Sequence, residues 1–153
     1  DVLVFESAPL SEDVEVTGVV TADLWISSSA LDTDFTVKLI DLAPANSDYP
    51  KGYAMNIVDS IMRVRYRNSW EKEELLEPGK IYPIHLRLAP TSNLFKAGHR
   101  IRVDISSSNF PRLDVNPNTG EPVGKHTHTV VAKNTLHCNS KYPSAINLPI
   151  VRT

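Results

Sequence analysis

A single cysteine, Cys138, leaves the 153-residue chain without an internal disulfide, so cysteine usage marks neither an oxidising nor a reducing compartment. No run approaches the ~20 apolar residues that cross a bilayer. The opening residues, Asp1 to Glu6, lack the basic start and long apolar stretch of a signal peptide. The chain therefore reads as soluble with no membrane partner, cytoplasmic or secreted according to whatever precedes it. No charge sign dominates either: 16 Lys and Arg against 18 Asp and Glu give a net −2. Without a basic excess, nucleic acid is not an expected partner. The six glycines form neither a Gly-x-Ser-x-Gly elbow nor a phosphate cradle, so no catalytic residue and no cofactor is expected within the chain.

Long helical periods are also missing, and eleven prolines argue against a helical protein. The recurring pattern has period two. In 61–67, Met62, Val64 and Tyr66 share one face while Arg63, Arg65 and Arg67 share the other, the pattern of a half-buried strand. His99 to Ser107 repeats it, with Ile101, Val103 and Ile105 opposite Arg100, Arg102 and Asp104. The stretches 19–28, 34–41, 81–89 and 127–132 read as further strands, and 2–6, 14–17, 135–138 and 146–150 as shorter ones. Only Trp70 to Glu77 could wind into two helical turns before Pro78. About nine or ten short strands without a βαβ rhythm predict an all-β antiparallel sandwich or barrel, one domain over 1–153. The expected core is Leu24, Ile26, Val37, Leu39, Val64, Tyr66, Leu86, Leu88, Ile101, Val103 and Ile105. A start at Asp1 rather than Met suggests a domain cut from a longer polypeptide.

Site chemistry is sparse. Gly120, His126 and His128 match the opening of the cupin metal motif, and on a strand His126 and His128 would share a face. No carboxylate follows at the expected place, where Val131, Ala132 and Lys133 stand instead, so a solvated pair is the better reading and no metal is expected. His137 adds a third ligand only if its strand lies alongside. The serine runs Ser27 to Ser29 and Ser106 to Ser108 sit at strand ends, where hydroxyls satisfy loop backbone groups. Arg63, Arg65, Arg67, Arg100 and Arg102 form a face expected to be solvated or paired with a neighbouring domain. Trp25, within a strand, reads as core or interface filling rather than a sugar platform.

The order of these pieces resembles the C-terminal non-catalytic domain of the X-Pro dipeptidyl-peptidase and CocE/NonD hydrolases over essentially the whole chain. The match runs through Pro9-Leu10, residues 14–18, 24–28 and 32–41, then 61–67, 73–79, 95–102, 106–112 and 116–120. Two departures stand out: Ser60 where the family usually has glycine after Asp59, and a longer, more polar stretch from Ala43 to Ala54. The resemblance implies a jelly-roll β-sandwich, galactose-binding-like, following an α/β-hydrolase domain in the same polypeptide, its principal partner. The catalytic Ser, Asp and His would lie in that other domain. A homo-oligomer is compatible with this reading.

Two functions follow from different classes: an accessory domain that packs on a serine hydrolase and shapes substrate access, or an autonomous carbohydrate-binding module. The functional surface is expected at Asn109, Phe110, Pro111, Arg112, Asp114, Asn116 and Asn118, joined by Arg63, Arg65 and Arg67. A loop with an aromatic ring, an arginine and several amides is richer than a spacer requires, although Asn and Asp also make their own turns.

Overall fold

The computed structural model describes residues 1–151 as an antiparallel two-sheet sandwich. Its nine strands are β1 (Val2–Glu6), β2 (Val14–Ser28), β3 (Asp34–Ala43), β4 (Tyr53–Arg63), β5 (Tyr82–Phe95), β6 (Arg100–Ser106), β7 (Asn134–Asn139), β8 (Tyr142–Pro143) and β9 (Ala145–Asn147). One sheet has the order β1-β6-β3-β4; the other runs β5-β2-β7-β8, with β9 also paired to β2. The predicted all-β jelly-roll sandwich is what the chain forms. No helix among the described residues is long and apolar enough to cross a membrane.

Alternation builds the core. Along β2, Val16, Val20, Ala22, Leu24 and Ile26 point inward and meet Phe35, Val37 and Leu39 of β3, with Ile84, Leu86 and Leu88 of β5 and Val103 and Ile105 of β6 closing the layer. The expected core residues other than Tyr66 lie there, with Ile101 at its margin. Tyr66 is half-exposed instead, its hydroxyl donating to Glu73 Oε1 at 2.6 Å. The expected strands 14–17 and 19–28 are a single strand that passes through Gly18, at φ +139°. Prolines 83 and 90 sit in β5, which pairs on one side only, the place where a missing N–H is tolerated.

Three expected elements differ. The alternation at 61–67 does not continue as a strand: β4 ends at Arg63 and Val64–Tyr66 is a 3₁₀ turn, because Arg65 turns inward to a buried carboxylate. Residues 70–77 form no helix; this segment lies extended, with Glu74 N donating to Arg65 O and Leu76 N to Leu31 O. Residues 127–132 are not a strand either, since their backbone has no ladder partner and Val131 stays 95% exposed. Conversely, β4 begins eight residues before the alternation at Ile61, in an exposed stretch where polar Asn56 and Asp59 hide the pattern.

Candidate functional site

The loop leaving β6 is tied down by carboxylates that β3 and β4 project from the sandwich. Asp59 of β4, 7% exposed at its side chain, accepts from Asn109 Nδ2 at 3.2 Å and pairs with Arg112 at 2.5 Å. Farther along, Asn116 is 3% exposed and donates to Asp32 Oδ2 at 2.9 Å and to Asp34 Oδ1 at 2.7 Å. Asn118 closes the loop by donating to Val130 O, and its backbone adopts φ 64°, a left-handed conformation that asparagine tolerates. Between these two anchors Phe110 stands 70% exposed, with Pro111 and Asp114 also on the surface.

The anchoring is electrostatic at its base. Asp32 is fully buried and holds Arg65 twice, accepting from its backbone N at 3.0 Å and from Nε at 2.7 Å. Arg65, 2% exposed, also reaches Glu73 and the carbonyl of Glu121. Arg63 forks onto Asp34 at 3.1 and 3.2 Å. Burial pushes the Asp34 carboxyl above the usual carboxylate range, opposed by the Arg63 and Asn116 hydrogen bonds. Glu73 is held below its ordinary value chiefly by the Tyr66 hydroxyl.

Of the expected site residues, Asn109, Phe110, Pro111, Arg112 and Asp114 thus share one exposed stretch, while Asn116 is interior framework. The arginine row is not one open face. Arg65 is buried, and Arg67, 7% exposed at its side chain, donates to the carbonyls of Val64 and Glu74 and lies over the Tyr82 ring at 4.5 Å. Only Arg63, 24% exposed, retains surface. The turn after Arg63 breaks the alternation that put all three on one side. Asp59 is the residue sequence reasoning missed as an anchor; fifty positions separate it from Asn109, so only the family's preference for Asp at that place hinted at it.

A cleft of about 490 Å³ opens beside this loop, lined by Val2, Leu3 and Phe35 on its apolar side and by Ser106 to Ser108, Asn116, Asn118 and Asn134 on its polar side. His126 and His128 are exposed on an irregular segment, His128 Nδ1 lying 3.6 Å from Glu121 Oε2. Among the described residues no three His, Cys, Asp or Glu side chains gather as a metal would require. Ser27 Oγ lies 3.0 Å from His137 Nε2, the only Ser–His hydrogen bond among the described residues. Trp25 is half-buried on the outer face of β2, against the ring of Tyr142 at 5.2 Å.

Residues 1–147 match the sequence model of the X-Pro dipeptidyl-peptidase C-terminal non-catalytic domain. The chain is 44% identical over 154 residues to the cocaine esterase of Rhodococcus sp. (strain MB1 Bresler), covering 99% of itself and 26% of that enzyme. Two solved structures superpose with TM-scores of 0.92: an aminopeptidase from a marine sediment Thaumarchaeota archaeon, at 35% identity, and an alpha-amino acid ester hydrolase, at 32%. The chain is covered to 99% in both and spans 26% of each.

Proposed function

Because the chain belongs to the X-Pro dipeptidyl-peptidase C-terminal non-catalytic domain family, we propose that it serves as the accessory domain of a larger serine hydrolase. In this reading it packs on an α/β-hydrolase domain of the same polypeptide and shapes the entrance to that domain's substrate site. The relatives are about four times as long and are named for esters or peptides, so the whole protein would cleave an ester or amide. The observation that carries the reading is Phe110: a large apolar ring held in solvent by a loop fastened at Asp59 and Asn116. A ring so fixed loses little conformational freedom on docking, and the polar residues around it suit an interface between domains of one chain.

The carbohydrate-binding alternative would have to rest on Trp70, 77% exposed, since Trp25 packs against Tyr142 instead of lying open as a platform.

The test compares the 153-residue chain with the longer hydrolase that contains it. Phe110→Ala is expected to change the stability of the chain by no more than about 0.5 kcal/mol, the usual scale for exposed side chains, while raising KM or lowering the melting temperature of the full hydrolase. If Phe110→Ala unfolds the chain and adds nothing in the full protein, the loop is a brace and the docking role is wrong.

A further inference from the structure

Where β4 and β5 flank the segment after the 3₁₀ turn lies a second cleft of about 310 Å³. Its floor is apolar, from Ile61, Met62 and Leu86. One wall is Trp70, 77% exposed, the most exposed aromatic side chain among the described residues. Arg87 lines the same cleft and is exposed at the sheet edge.

The charge accounting decides what could sit there. No carboxylate lines the cleft. The other basic side chains in the lining are already engaged: Arg67 by Glu74 and the Tyr82 ring, His85 by Asp23 at 2.6 Å. Arg87 has no side-chain hydrogen bond or ion pair among the described residues; only its carbonyl is used, accepting from Ser60 Oγ at 3.2 Å. The cleft thus offers one free guanidinium, which suits a single negative charge. A dianionic phosphate would call for more donors. The planar fork of arginine matches a carboxylate, and an exposed indole beside an apolar floor matches a flat, uncharged body. The volume is at the lower end for small-ligand sites, enough for one or two rings.

We propose that this cleft binds a small aromatic carboxylate, with Arg87 holding the carboxylate and Trp70 stacking on the ring. The assignment is independent of the docking role proposed for the Phe110 loop.

The test uses the 153-residue chain and 2-naphthoate, following the two tryptophan indole N–H signals by NMR. A saturable shift at Trp70, with Trp25 unmoved, is expected at millimolar ligand, the affinity reasonable for one ion pair and one stacked ring. Arg87→Gln is expected to weaken binding about tenfold, as loss of one charge-assisted hydrogen-bond pair would. The uncharged 2-naphthalenemethanol should bind wild type and Arg87→Gln alike. Arg87→Gln alters an exposed side chain, and retention of the wild-type melting temperature checks that the fold persists. A non-saturable shift, a shift at Trp25 instead, or equal naphthoate affinity in wild type and Arg87→Gln would overturn the assignment.

Discussion

The charged residues that decide this structure are largely hidden from solvent. Asp32 neutralises Arg65 in the interior and fixes Asn116, so one carboxylate holds both the 3₁₀ turn and the far end of the Phe110 loop. Removing one member of a buried ion pair strands the other, and Asp32→Ala is expected to destabilise the chain by about 3–5 kcal/mol, read from the midpoint of urea unfolding. Asp34 gives a pH signature. Its folded pKa lies above the ordinary Asp value because burial disfavours the charged form. The stability linked to that proton is complete below the ordinary pKa and is lost as pH rises through the folded one. Asp34→Asn, which cannot ionise, lacks this dependence. The stability of wild type relative to Asp34→Asn should therefore be greatest in acid, fall across that window and then level off. A relative stability that instead rises with pH through the window would contradict the direction assigned to Asp34.

Among the elements, β1 is the exception to the sandwich's inside-outside rule. Every residue from Val2 to Glu6 is exposed, and the strand pairs with β6 alone. Few buried contacts hold it, so its amides are expected to exchange hydrogen at lower opening free energy than those of β2 and β3, which are paired on both sides. Uniform protection across all three strands would show that β1 is held more firmly than its burial implies. The strands legible in the sequence were those whose inward residues alternate without interruption: β2 and β6 show it, and their inward residues are in the core. Where the pattern and a buried charge competed, the charge decided. Arg65 alternates as an exposed residue, yet Asp32 draws it inside and ends β4, a pairing across thirty-three positions that no local period records. The Glu-rich 70–77 segment has helical composition, but its backbone groups are used by Arg65 and Leu31 instead. The candidate loop was visible as composition, while the carboxylates that fasten it were not, because Asp59 and Asp32 lie far away along the chain.

For the whole molecule, the question is whether the sandwich performs chemistry by itself. The nearest approach to a catalytic arrangement is the Ser27 hydroxyl against His137 Nε2 at 3.0 Å. A working nucleophile needs a base oriented by a third group and preorganised donors aimed at the developing oxyanion. His137 instead lies beside the Tyr142 ring at 5.8 Å, and its carbonyl is occupied by Ser144 Oγ. Ser27 is 9% exposed within β2, which leaves little room for a carbonyl carbon to approach its oxygen. The pair reads as a polar clasp between two strands. Turnover of a p-nitrophenyl ester or an Ala-Pro-anilide by the 153-residue chain is accordingly expected to equal the buffer rate, and Ser27→Ala should leave it there while lowering stability by about 1 kcal/mol through the lost hydrogen bond. Saturable turnover that disappears with Ser27→Ala would place a reaction centre in this domain and contradict its accessory role.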